Sequence, residues 1–539
     1  MCLSGRAVVA IAEFFFGFSL MEPSGSPDTP VLCVDAKPSL AIKSCAAAMA
    51  RENVQQVPTE QQVMQDSSGT APVVICGAGI GGLVLAMALH RKCNLAASDI
   101  EVFEQAKAFT DSAGGGIGLY ANGLRVLRSI DPELLARVRA AGYDYIYRRW
   151  FRHDGTEVAC AREDALVDET ELQSIGIRRW KLQKALLDHA KASGITVRFN
   201  MRTEAVTPLD NGAVEVKFAD GTTRTARVVF GADGLKSKVR EAVVGPLAAE
   251  FTGVTCLMGA AKVPRPVRGI CFPSSSTTKN HACYYPTGNC EQIFQLYFPA
   301  ETKDEAWGTL SPEEGRRECA ELAEKLEADG WDAAFLAPLK AAESVIRVGL
   351  FSREPLDSWA CASGRIILLG DAAHPPVPYI GQGAMMAMED VGVLSLMLQH
   401  FCCAGGFGPF DPTADNLTKA TELYQAMRIP RTRHVLGSSH TLGKTQQQRA
   451  NSWLYNVQRE WTIRLQVALY GTLPIMKPGA MYDFANDVAS HVEAAENGVS
   501  VEELIAPAPP PEGKTTQRVL AGVGAVAAVA TLVAVTRRR

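Results

Sequence analysis

The stretch Val73-Val-Ile-Cys-Gly77-Ala-Gly79-Ile-Gly-Gly82 constrains this chain more than any other. Val73 to Cys76 is a short apolar run, which predicts a buried strand. Ile80 to His90 predicts a helix, and Ile100 to Phe103 a second strand. Strand, glycine joint, helix and strand in that order predict a parallel sheet with crossover helices. Each glycine of the G-x-G-x-x-G pattern has a task. Gly77 permits the tight turn, Gly79 lets a pyrophosphate approach the backbone, and Gly82 lets helix and strand pack closely. The free N–H groups at the helix start attract phosphate charge. The second strand runs into Glu104, 22 residues past Gly82. An acid there is placed to accept from a ribose hydroxyl pair, so dinucleotide binding follows. Glu104 suits the unphosphorylated ribose of FAD or NAD better than that of NADP, but the fingerprint does not choose between FAD and NAD.

Composition removes other classes. Lys plus Arg number 54 against 58 Asp plus Glu, a formal net charge of -4. No global basic field for nucleic acid results. The 14 cysteines are scattered, with no C-x-x-C and no closely spaced histidine partners. They read as free core thiols in a reducing compartment, and no metal site is expected.

Further along, Trp180 to Ala192 reads as a helix. Short strands are expected at Thr196 to Phe199, Val214 to Phe218, Arg227 to Phe230, Cys283 to Tyr285 and Ile293 to Phe298. Glu313 to Asp329 reads as a solvent-facing helix, Ile366 to Leu369 as a buried strand, Ala384 to Leu398 as a helix, and Thr418 to Glu460 as helical.

Two later stretches carry a resemblance. Gly231-Ala-Asp-Gly234-Leu-Lys-Ser237-Lys-Val-Arg240 resembles the Asp-Gly motif of the class A FAD-dependent aromatic hydroxylases and monooxygenases. Leu369-Gly370-Asp371-Ala-Ala-His374-Pro375-Pro376 resembles their Gly-Asp motif. With 77–82, the three motifs stand in family order across roughly 72–440. Gly115 to Arg125, Arg178-Arg179-Trp-Lys-Leu182, Tyr284-Tyr-Pro286, Gly381-Gln-Gly383 through Glu389-Asp390, and Tyr424-x-x-x-Arg428-x-x-Arg431 add to it. The salicylate hydroxylase-like, urate hydroxylase-like and zeaxanthin epoxidase-like branches are nearest.

The resemblance implies an α/β fold: a Rossmann-type FAD-binding domain with a parallel sheet, an inserted mixed-sheet substrate domain and a helical C-terminal extension. The expected boundaries are a leader at 1–70, FAD-binding segments at 71–250 (which also holds part of the substrate region) and 361–440, the substrate domain at 251–360, a helical extension at 441–500, a linker at 501–518 and a C-terminal transmembrane helix at 519–536. It also implies the cycle. NAD(P)H reduces FAD, O2 adds to give a flavin C4a-hydroperoxide, and one oxygen passes to an aromatic or polyene substrate, which is hydroxylated or epoxidised. Asp371 is expected on the FAD ribityl chain, Gly381 and Gly383 near the flavin, Arg179 near the FAD linker with Arg178 as its neighbour, and Asp233 at the dinucleotide cleft. His281 is the expected catalytic base, removing the proton of a substrate hydroxyl. His374 is expected to support the FAD loop. Glu389 and Asp390 read as a solvated face or a structural contact.

Rival functions are a flavin-dependent dehydrogenase or halogenase-like enzyme, and a non-enzymatic membrane-tethered FAD-binding interaction protein. None of the seven tryptophans forms the W-x-W-x-I-P spacing of related halogenases. At the ends, 1–70 reads as a targeting segment, a disordered extension or sequence upstream of a later initiator, Met21 or Met49. Val519 to Val535 holds 17 residues without a charge before Arg537, Arg538 and Arg539. As a helix it spans about 26 Å against a core of ~30 Å. The expectation is a membrane-associated protein held by this C-terminal anchor with its catalytic domain in the cytoplasm, or a cytoplasmic or organellar one if the leader targets.

Overall fold

The computed structural model describes residues 72–110, 115–264, 267–275, 277–288, 290–300, 308–447, 453–473 and 482–497. The expected leader, linker and C-terminal segment 519–536 lie outside the described residues. The membrane placement is corrected: among the described residues no helix is long and apolar enough to cross a membrane. The 17-residue run that suggested an anchor is short for a bilayer and built largely of Ala, Gly and Val. The anchor, the membrane contact and the membrane-associated location therefore have no helix to support them among the described residues.

The architecture is α/β. Five strands form a parallel sheet in the order Ile366–Leu368, Val228–Gly231, Val73–Cys76, Ile100–Phe103, Thr196–Arg198. Val73–Cys76 is central and completely buried, as a short apolar run between crossovers must be. Helix Ile80–Lys92 packs against helix Gly383–Cys402, which is itself buried along most of its length. Helix Phe484–Glu496 closes on Gly392, where a Cβ would come 2.8 Å from the Phe484 ring.

The inserted sheet is larger than the sequence suggested. Eight strands run in the order Gly308–Thr309, Ala342–Ser352, Glu250–Lys262, Glu291–Pro299, His281–Gly288, Gly269–Ser274, Tyr147–Arg152, Glu157–Arg162. It is mixed because Gly269–Ser274 runs parallel to Tyr147–Arg152 while its other neighbours pair antiparallel. Gly269 is required at that junction. Its φ is +145°, and a Cβ would lie 1.9 Å from the Tyr147 carbonyl oxygen.

Side chains alternate across these strands. Tyr284, Phe294 and Leu296 face the helices Pro312–Ala328 and Ala333–Lys340 and share a core with Leu326, Phe335 and Leu339. The Tyr284 hydroxyl donates to the Phe335 carbonyl at 2.7 Å. Helix Pro312–Ala328 was expected to be solvent-facing, but it buries Cys319, Ala323 and Leu326 on one side. Its charged residues hide that stripe from a composition count. On the other face of the sheet, His281, Tyr285, Gln295 and Tyr297 turn toward a cavity.

The C-terminal extension is helical. Helix Ala414–Gln447 packs along Gly383–Cys402, and helix Trp453–Tyr470 lies against strand Glu157–Arg162.

Candidate active site

A cavity of about 1670 Å³ lies at the carboxyl end of the parallel strands and continues to the inner face of the inserted sheet. A single ligand pocket commonly holds roughly 300–1,000 Å³, so there is room for a dinucleotide and a second molecule. Gly77, Gly79, Glu104, Arg179 and Asp233 line it, as do Asp371, Gly381, Gly383 and His281. Of the ten expected site residues only Gly82 is set back from it.

The glycine joint explains itself. Gly77 has φ +103°, and a Cβ there would sit 2.4 Å from the Ala232 carbonyl oxygen. A Cβ on Gly82 would come 2.0 Å from the Gly77 carbonyl oxygen. A Cβ on Gly79 would meet nothing within 4 Å, because it would project into open space. Gly79 also caps helix Ile80–Lys92, with no side-chain cap and no acid in the first turn. No acid of the helix's own first turn therefore competes with an anion for the free N–H groups at its start.

Glu104 closes the turn from the far side. Its carboxylate accepts from Ala78 N at 2.9 Å and from Ala106 N at 2.8 Å. One lone pair on each oxygen still remains for a ribose hydroxyl. Across the cavity, one Asp233 oxygen accepts from Lys238 N at 2.8 Å and Val239 N at 3.3 Å. Its other oxygen is buried without a hydrogen-bond partner. Burial raises the Asp233 pKa, against the hydrogen bonds it accepts.

Asp371 lies in the turn Gly370–Ala372 directly after strand Ile366–Leu368. Its surface is open to the cavity, but protein crowds the carboxyl and raises its pKa; His374 and Arg179 oppose that rise, and Asp390 adds to it. The two neighbouring arginines separate clearly. Arg179 opens helix Arg179–Ala192 and lines the cavity. Arg178 is buried and turns toward Ser344 and Glu291, 3.4 and 3.7 Å away.

A buried ionic network lies behind the two cavity loops. His374 Nε2 meets Asp390 Oδ2 at 2.6 Å, and Gly370 N donates to the same oxygen at 2.8 Å. Arg428 donates to Asp390 at 2.8 Å and to Glu389 at 2.7 Å. Arg431 also grips Glu389, at 2.7 Å. Asn122 Nδ2 donates to Glu389 at 2.7 Å and to the Gln382 side-chain oxygen at 2.9 Å, between Gly381 and Gly383. Glu389 and Asp390 are thus a structural contact, and the solvated-face alternative is corrected: both are 0% exposed. Burial alone would raise the Asp390 pKa, but His374 and then Arg428 hold it down at about 2.

At the sheet end, the His281 ring stacks on Tyr297 at 5.0 Å and on Tyr379 at 5.7 Å. Gln295 bridges two phenols: its Nε2 donates to the Tyr285 oxygen at 2.8 Å, and the Tyr297 hydroxyl donates to its Oε1 at 2.9 Å. Burial raises both tyrosine pKa values well above 10, so both stay protonated. Sequence reasoning missed Gln295 and Asn122. The odd-numbered alternation through His281, Tyr285, Gln295 and Tyr297 was a signal for the first. Asn122 lies within the stretch Gly115 to Arg125, but its partners are some 260 residues away in sequence.

Known proteins agree with this architecture. The family described as the FAD binding domain matches residues 70–402. The chain is 31% identical over 389 residues to the 3-amino-4-hydroxybenzoate 2-monooxygenase PtmB3 of Streptomyces platensis, across 70% of this chain and 89% of that one. It is 29% identical to the 6-hydroxynicotinate 3-monooxygenase of Pseudomonas fluorescens, across 75% of this chain and 97% of that one. Klebsiella pneumoniae HpxO, solved with FAD and uric acid, superposes with a TM-score of 0.63 at 20% identity, covering 77% of this chain and 99% of that one. The last likeness bears on the fold alone. FAD is the cofactor, NAD(P)H and O2 are the co-substrates, and the chain belongs to the class A FAD-dependent aromatic hydroxylase and monooxygenase family.

Proposed function

We propose that this cavity holds FAD along its glycine-lined end and an aromatic or other electron-rich substrate against the inserted sheet. The observation that carries the reading is the convergence of nine separately expected residues on one wall system. In it, the Gly77–Gly82 turn and the start of helix Ile80–Lys92 receive the pyrophosphate. Glu104 accepts from the adenosine ribose, and Asp371 accepts from the ribityl chain. The backbone at Gly381 and Gly383 approaches the flavin ring. Asp233 borders the same cleft, and Arg179 stands near the FAD linker.

FAD, when bound, supplies hydride acceptance from NAD(P)H and activation of O2. The chain positions the substrate, excludes water and moves a proton. His281 takes the proton of a substrate hydroxyl, which raises electron density on the ring. Its ring packs against both Tyr297 and Tyr379, which also contact each other, and this three-ring cluster restricts the imidazole. Tyr285 accepts from Gln295, so its own proton is available to the substrate; Tyr297 donates to Gln295, so its oxygen is available as an acceptor.

The test is purified holoenzyme with a panel of phenols, aromatic acids and polyenes, scored by NADH and NADPH oxidation, oxygen uptake and product mass. A product heavier by one oxygen, formed in step with nicotinamide oxidation, is expected. Stimulated oxidation that yields only H2O2 with every compound would overturn the substrate assignment.

A further inference from the structure

The extension helix Trp453–Tyr470 lies beyond the part of the chain matched by the FAD binding domain family, which ends at 402. It nevertheless forms part of the cavity wall. Tyr455, Arg459, Ile463 and Gln466 line the space at helical spacing, so one face of the helix looks inward. That face is fixed from outside. Arg152 Nε donates to Glu460 at 2.7 Å, and Arg464 donates to the Val158 carbonyl at 3.0 Å. The same cavity is lined by an apolar cluster in which Trp150 and Phe272 stack at 6.1 Å and 23°, with Val158 and Ile463 packed in it.

Arg459 is the anomaly in this wall. Its Nε is buried with no hydrogen-bond partner, and it forms no ion pair among the described residues. Glu460, the adjacent acid, is occupied by Arg152. Burial and the nearby Arg152 charge lower the Arg459 pKa, with Glu460 and Tyr455 opposing. Folded chains rarely keep a buried polar group unsatisfied without a ligand, ion or water to answer it.

We propose that Arg459 is the receptor for an anionic group, a carboxylate, on an aromatic substrate whose ring lies against Trp150 and Phe272. The planar guanidinium fork suits a carboxylate held through two parallel hydrogen bonds. This rests on the reading that the sheet end of the cavity takes the substrate, and it makes the helical extension part of substrate selection.

The experiment titrates the oxidised full-length holoenzyme by flavin absorbance with matched acids and methyl esters of 3-hydroxybenzoate, 6-hydroxynicotinate and 3-hydroxy-2-naphthoate. At least one acid is expected to bind more tightly than its ester. R459Q is expected to weaken that acid about tenfold to a hundredfold while moving the ester little. R459K is expected to keep part of the preference, because it keeps the charge and loses the fork. Three results would overturn the proposal: no acid preferred to its ester, a preference unchanged in R459Q, or an R459Q defect confined to the KM for NADH or NADPH. The last would assign the arginine to a dinucleotide phosphate. If R459Q loses its flavin, the wild-type protein decides: the Kd of the acid must rise with added salt while that of the ester stays constant. No turnover is needed for the titration, so its failure leaves the monooxygenase reading standing, and absence of hydroxylated product leaves the Arg459 result standing.

Discussion

His374 Nε2 lies 2.6 Å from Asp390 Oδ2, and both side chains are almost completely buried. The same carboxylate oxygen accepts from Gly370 N. One acid in the middle of a helix therefore fixes the residue next to Asp371 and the histidine three positions after it. The neighbouring acid, Glu389, reaches the Gly381–Gly383 loop through Asn122 and Gln382. Adjacent carboxylates thus anchor the two loops on which the expected flavin contacts stand.

Arg428 neutralises both acids and is itself 0% exposed. Removing it leaves buried charge without a partner, which costs about 3–5 kcal/mol. Arg428→Met is expected to lower stability in urea unfolding by that order and to release flavin. Arg428→Lys is expected to recover only part of the loss, since a single ammonium cannot reach two carboxylates as a fork does.

Asp390 predicts an acid transition. Its folded pKa, about 2, lies below the ordinary value of 3.8. Its contribution is therefore complete above about pH 4 and is lost as the pH falls through 2. The difference corresponds to roughly 2 kcal/mol. Urea midpoints measured between pH 5 and 2 should fall for the wild type, while Asp390→Asn should start lower and lack this part of the slope. Parallel profiles for the two proteins would remove Asp390 as its source.

The three glycines of the fingerprint should fail differently. Gly77→Ala and Gly82→Ala force a Cβ to within 2.4 and 2.0 Å of backbone oxygens and are expected to destabilise the fold itself. Gly79→Ala meets open space and is expected to leave thermal unfolding of the apoprotein nearly unchanged while weakening FAD binding. Calorimetry of the apoprotein beside flavin titration separates the two effects.

If His281 is the base, His281→Asn should retain FAD and lower kcat on a phenolic substrate by about 10²–10⁴-fold. The corresponding inflection should vanish from its pH–rate profile. Wild-type turnover in His281→Asn would assign the histidine to packing against Tyr297 and Tyr379.

Where chemistry and local pattern coincide, the chain was readable. The fingerprint turn, its flanking strands and the loop residues Asp371, Gly381 and Gly383 each carry a local signature. Strands such as Glu250–Lys262 and Ala342–Ser352 carry none. They mix Gly, Ser or Thr, and charge, and they become strands through pairing with partners far along the chain. Glu389 and Asp390 were ambiguous for the same reason: two acids look solvated until Arg428, 38 residues past Asp390, is folded onto them. Arg459 was illegible because only the packing of its helix shows that Glu460 is already taken.

The alternation along His281–Gly288 and Glu291–Pro299 has an evolutionary consequence. Tyr284 and Phe294 look into the helix-backed core, while Tyr285 and Gln295, one position on, look into the cavity. The cavity side also carries structural duty, because Cys283, Tyr285 and Tyr297 sit in buried apolar clusters of their own. Among positions 283, 285, 295 and 297, Gln295 is the cavity-facing one outside those clusters, so on the proposed substrate reading a library at 295 should alter selectivity at a higher folded fraction than one at 283, 285 or 297.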